Sequence, residues 1–195
     1  MSMKITLIGA TVFTLLTLGA CQSTQDALSI GEAAEANPGP CPRAFSVYDA
    51  SRIVEIGGDG TERFDNVGFT GEIDRVRSLC RYFADRPIVG DLTIDFSLGR
   101  GPAAAGETKT YNYFVAVTRK NIEIIEKQVF PLTVTFNDGQ DRVNVREEID
   151  RIVIPRANDT TSGENFEIIV GFVVTPEQRA FNADGKRFRV SAGQN

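Results

Sequence analysis

The chain has 195 residues, 21 Lys+Arg against 26 Asp+Glu, and neither histidine nor tryptophan. Without histidine there is no Ser-His-Asp or Cys-His nucleophile pair, no histidine-ligated zinc or haem, and no imidazole proton shuttle near neutral pH. A net charge of −5 lacks the basic footprint that holds phosphate backbones, which argues against DNA and RNA as partners.

A single basic residue, Lys4, precedes an apolar run from Ile5 to Leu18 that is interrupted only by Gly9 and threonines. At about 14 residues this run is shorter than the roughly 20 that a membrane-spanning helix needs. A basic start, a short apolar stretch and small residues form the pattern of a cleaved export signal. The run ends in Leu18-Gly19-Ala20-Cys21. This resembles the lipobox of bacterial lipoproteins, where an apolar residue and two small ones precede a cysteine. The resemblance implies that the signal, residues 1–20, is cut away, that the Cys21 thiol receives diacylglycerol, and that the new amino terminus is acylated. Two or more acyl chains hold a protein stably on a membrane. Gln22 follows in place of an aspartate, which in that class favours the periplasmic face of the outer membrane. The alternatives are an ordinary secretory signal with a chance cysteine, or a buried apolar strand. Cleavage removes Lys4 and no acidic residue, so the net charge moves from −5 to −6.

From Gln22 to Pro40 the chain is rich in Gln, Ser, Ala, Glu and Gly and poor in large apolar residues. It cannot bury enough surface to fold alone, and residues 21–40 read as a lipidated flexible tether. The remainder, residues 41–195, is long enough for one domain with its own core. Cys41 and Cys80 remain as an even pair, which an oxidising compartment converts to a disulfide. Two free buried thiols or a metal pair are the alternatives, and no CxxC spacing suggests a redox-active pair.

Short β-rich runs then alternate with turn signals. Phe45–Tyr48 and Arg52–Ile56 precede the turn Gly57-Gly58-Asp59-Gly60. Val67–Phe83 is read as a strand, since Val76, Ser78, Cys80 and Tyr82 share one face, although Ile73, Val76, Leu79, Cys80 and Phe83 also fit helical spacing. Ile88–Leu98 and Tyr111–Thr118 follow, with Arg119-Lys120-Asn121 as a hairpin tip into Ile122–Glu126. Val129–Phe136 runs into the turn Asn137-Asp138-Gly139, then Arg142–Pro155 and Asn165–Thr175 flank a polar loop at Ala157–Glu164. Pro176 opens a short helix, with Glu177 in its first turn. About eight strands and one short C-terminal helix predict an all-β fold, an antiparallel, immunoglobulin-like β-sandwich, with a small barrel as the alternative.

Few residues suggest chemistry. The loop Gly99–Gly106 is the most unusual segment, and its Arg100, Gly101 and Pro102 are a candidate partner-binding loop. The bland reading is a long strand connection bent by glycines, and it lacks the Lys-Ser/Thr of a phosphate loop. Asn137–Asp141 lacks the alternating oxygen ligands and distant glutamate of a calcium loop. Glu147, Glu148 and Asp150 sit with Arg146 and Arg151 on a predicted strand, where alternation sends them to opposite faces. Tyr111, Tyr113 and Phe114 are expected to fill the core. No catalytic, cofactor or metal residue is assigned.

The domain resembles a family of alphaproteobacterial envelope lipoproteins to which no activity is attached. The resemblance rests on Cys41-Pro42, Cys80-Arg81-Tyr82, Arg100-Gly101-Pro102, Tyr113-Phe114-Val115-Ala116, Lys127 with Phe130, and Gly171-Phe172 with Thr175-Pro176-Glu177-Gln178. It covers nearly all the chain after the tether and implies the envelope compartment and the cysteine pair. The expected function is a non-enzymatic docking or scaffolding module, held on the membrane by its lipid and bound to an envelope protein partner. The alternative is a carrier of a small apolar or lipidic ligand.

Overall fold

Residues 37–120 and 122–188, which the computed structural model describes, form eight strands and one α-helix. The strands are β1 (Arg43–Ser46), β2 (Arg52–Ile56), β3 (Val67–Arg81), β4 (Ile88–Arg100), β5 (Thr108–Arg119), β6 (Glu123–Thr135), β7 (Arg142–Ile154) and β8 (Phe166–Phe172). Helix α1 spans Pro176–Ala183. The sheets have the orders β1-β8-β5-β6 and β2-β3-β4-β7. Every pairing is antiparallel except that of β1 with β8. The expected antiparallel-rich β-sandwich with a short C-terminal helix is therefore the fold, in two four-stranded sheets. The signal, Cys21 and the tether as far as Ala36 lie outside the described residues, as does Asn121 at the β5–β6 tip.

The alternation of β4 and β5 builds the core. Leu92, Ile94, Phe96 and Leu98 from β4 meet Tyr111, Tyr113 and Val115 from β5 and Ile168, Val170 and Phe172 from β8. The Phe96 ring centre lies 5.2 Å from that of Tyr113 and 5.7 Å from that of Phe172. Such tilted pairs contribute about 0.5–1.5 kcal/mol each beyond their burial. Tyr111 stays buried because its hydroxyl donates to the Thr70 carbonyl at 3.0 Å. A second cluster of Tyr82, Ile88, Val117, Ile154 and Phe166 closes one end of the sandwich.

Three sequence expectations change. Phe114 does not fill the core: it faces outward beneath Lys127, whose Nζ is 4.3 Å from its ring centre, because the inward positions of β5 fall on Tyr111, Tyr113, Val115 and Val117. The runs Ile122–Glu126 and Val129–Phe136 are one strand, β6, paired continuously along β5 across Lys127 and Gln128. The domain also begins before Cys41. The Asn37 side chain donates to the Cys80 carbonyl at 3.0 Å and accepts from the Tyr82 amide at 2.9 Å, so Asn37–Pro40 belong to the folded unit.

Helix α1 starts where Thr175 and Gln178 form a reciprocal capping box with Pro176 in the first turn. It docks on the β1–β2 connection through Asn182, which is buried and donates to the carbonyls of Asp49 and Arg52 at 2.8 and 2.9 Å.

Candidate docking surface

Cys41 and Cys80 form the disulfide, with their Cα atoms 5.6 Å apart, joining the chain just before β1 to the end of β3. The free-thiol and metal-pair alternatives therefore fall. Around it, the Tyr82 hydroxyl donates to the Pro40 carbonyl at 2.9 Å and accepts from the Gly163 amide at 3.0 Å. This staples the amino-terminal root of the domain to β3 and to the loop before β8.

The Arg100-Gly101-Pro102 loop folds back onto β3. The Gly101 amide donates to Gly68 and the Ala103 amide to Val67, at 2.6 and 2.9 Å. A Cβ on Gly101 would lie 2.2 Å from the Val67 carbonyl oxygen, so the glycine serves close backbone approach. Arg100 is half-buried and Pro102 exposed. The loop contributes Ala103 and Ala105 to an open groove of about 580 Å³ shared with Phe69 and Phe181.

The acidic cluster on β7 separates as alternation requires. Glu147 is half-buried and accepts from the Tyr113 hydroxyl at 3.4 Å, whereas Glu148 is exposed opposite Thr93. Burial first, and then the Glu147 charge, hold the Tyr113 phenol far above its ordinary range, so it remains a proton donor at all physiological pH. Asp150 and Arg151 form a bulge opposite Asp91, and Arg151 adopts φ +59° while its amide donates to the Asp91 carboxylate at 3.1 Å. On the outer face, Asp95 sits between Arg77 and Arg146. The hydrogen bond from Arg146 keeps its carboxyl below the usual range. Among the described residues no group of three or more His, Cys, Asp or Glu side chains is placed to hold a metal.

The surface that the sequence reading missed is the β6 edge. β6 pairs with β5 on one side only, and its first seven residues, Glu123–Val129, are exposed on both faces. Four large aliphatic side chains stand there: Ile122 at 71% exposure and Ile124 at 63%, with Ile125 and Val129 beside them. The register shifts at Val117/Thr118, which makes Ile125 an extra residue in the strand. Beside this edge the sheets part around a cleft of about 260 Å³, lined by Val115, Val117, Phe130, Ile149 and Ile152 with Gln128 at its side. A row of unpaired backbone groups next to an apolar slot can accept an extended chain and one of its side chains. The runs Ile122–Glu126 and Val129–Phe136 are visible in the sequence as β-rich, but their place at an edge is a property of sheet order.

Compared with known protein families and with curated proteins, the chain matches none.

Proposed function

We propose that this chain is a lipid-anchored protein on the periplasmic face of the outer membrane, acting without enzymatic chemistry as a docking module. Its partner is an extended segment of another envelope protein, added as a strand along β6. The observation that carries this reading is the exposed aliphatic first half of β6 at a free sheet edge. Strand addition draws affinity from main-chain hydrogen bonds and specificity from pockets for alternate side chains. The cleft beside Val115 and Ile149 offers such a pocket. Glu123, Lys127 and the bulge at Ile125 blunt the edge against indiscriminate pairing, which suits one selected partner. The acyl groups on Cys21 supply local concentration and the tether supplies reach.

A carrier of apolar ligands is less well supported. The space between the sheets is filled by Phe96, Tyr111, Tyr113 and Phe172, so a lipid would have to lie in the open clefts.

The test is photocrosslinking in intact cells from a reactive residue at Ile124, with an affinity tag after Asn195 and mass spectrometry of what is recovered. One dominant envelope protein, crosslinked from position 124 and not from Thr93 on the far face, supports the reading. Crosslinks only to a second copy would replace docking by self-association. A folded, acylated bait that returns alone would count against docking and bring ligand binding forward, to be read as bound lipid in a native mass spectrum.

A further inference from the structure

The β3–β4 hairpin carries a second exposed surface, of different chemistry from the β6 edge. On the outer face of its sheet, Leu79 is 77% exposed, Arg81 pairs with Val89, and Val89 pairs with Val153. At the tip, the Arg86 guanidinium stacks 4.5 Å from the centre of the half-exposed Phe83 ring. Leu79, Arg81, Phe83, Arg86 and Val89 line an open groove of about 560 Å³. Among the described residues no carboxylate pairs with Arg81 or Arg86: Asp85 lies at the turn, and Asp91, which lines the groove opposite Leu79, accepts from the Arg151 amide. The tip is held in place: Arg156 donates to the carbonyls of Ala84 and Arg86 at 2.7 and 3.0 Å. A fixed loop with a protruding leucine, an aromatic ring and two guanidinium groups outside any ion pair matches the headgroup region of an anionic lipid surface. The apolar groups enter the headgroup region while the arginines reach phosphates.

Position supplies the second argument. Asn37 bonds to Cys80 and Tyr82, the residues interleaved with Leu79, Arg81 and Phe83 at the end of β3 and just beyond it. The chain therefore enters the domain beside this surface. From Gln22 to Ala36 the chain can span at most roughly 50 Å. An acyl group on Cys21 would thus keep this end of the sandwich within roughly that distance of the bilayer.

We propose that the outer face of the β3–β4 hairpin rests on the anionic phospholipid surface, giving the domain a membrane contact besides its lipid. This rests on the reading of Cys21 as the lipidation site. The experiment uses the mature chain Cys21–Asn195 carrying Cys21→Ser, so that no acyl group contributes. It is sedimented with vesicles of phosphatidylethanolamine and phosphatidylglycerol, and with vesicles of phosphatidylcholine alone. The expected result is binding to the anionic vesicles only. Since each basic residue near such a surface changes affinity roughly five-fold, Arg81→Glu with Arg86→Glu should weaken binding by at least about 20-fold. Leu79→Ser with Phe83→Ser should also weaken it, and a cooperative thermal melt checks that this variant is folded. No binding to anionic vesicles, equal binding to phosphatidylcholine, or binding that both double variants leave unchanged would overturn the proposal. The anchor is read separately, from the mass of the amino terminus of protein taken from cells. An unacylated terminus sinks the Cys21 reading without touching the vesicle result.

Discussion

The Arg156 guanidinium lies 4.9 Å from the centre of the Tyr82 ring and, from there, donates to four backbone carbonyls. Two of these, Ala84 and Arg86, belong to the β3–β4 turn, and two, Asp159 and Thr161, to the loop before β8. One side chain thereby ties both loops to the buried ring that also holds Pro40 and Gly163. Lysine has no planar fork and cannot repeat this pattern. Arg156→Lys is expected to cost about 2–3 kcal/mol of unfolding free energy, and Arg156→Ala at least as much, since several carbonyls lose a charge-assisted donor. Urea unfolding checks this. A change below about 0.5 kcal/mol for both variants would show that the clamp is ornamental.

The disulfide bridges a sequence separation of 39 residues, and loop-entropy arguments give about 4 kcal/mol for closing a loop of that size. Breaking it should lower the melting temperature by several degrees or more and release Asn37–Pro42 first. Cys41→Ser with Cys80→Ser, and the wild type with and without reductant, should agree in circular-dichroism melts. Amide exchange should accelerate earliest at Tyr82 and Gly163, the groups that hold the amino-terminal root.

The alternation of apolar residues foretells β4 over Ile88–Leu98 and the inward places of Tyr111 and Tyr113 on β5, because neither strand needs an extra residue on its core face. β3 is harder to read for a physical reason. Its register shifts between Ile73 and Arg75, so Asp74 is an added residue and the inward set passes from Phe69 and Ile73 to Val76, Cys80 and Tyr82. The resulting three-residue step from Ile73 to Val76 imitates a helix. A helix would bury Leu79 and Phe83, which are exposed. The same step recurs at Ile149 and Ile152 across the β7 bulge. The docking surfaces are hidden more deeply. Nothing local marks β6 as an edge, and nothing local says that Leu79 faces out, since both follow from which strands lie beside them. The glycine-rich loop attracts notice for its composition, yet that composition answers to packing on β3.

Gly101 gives a direct check on that last point. A methyl group there would meet the Val67 carbonyl oxygen at 2.2 Å, with backbone rather than a yielding side chain in its way. Gly101→Ala is therefore expected to destabilise the fold by about 2–4 kcal/mol, as overpacking against a fixed backbone does. Pro102→Ala, at an exposed position, should change stability by less than about 1 kcal/mol. If Gly101→Ala melts like the wild type but loses its partner, the loop is a binding element and the packing account is wrong.

Substitutions along β6 separate docking from folding. Ile124 is exposed and Val134 is buried, although both lie on the same strand. Ile124→Lys, with Ile125→Lys, places two charges where a partner strand would lie and removes aliphatic surface from the free edge. It should leave the melting temperature within a few degrees of the wild type, since both side chains are exposed and surface changes usually fall within about 0.5 kcal/mol each. Recovery of the crosslinked partner should fall at least about ten-fold, because lysine on an edge opposes strand addition. Val134→Lys forces an unpaired charge between the sheets and should unfold the domain outright. Partner recovery that survives Ile124→Lys with Ile125→Lys at full yield would move the docking surface off β6. Loss of partner together with loss of folding, in the exposed variant as in the buried one, would mean that this half of β6 contributes to the core after all.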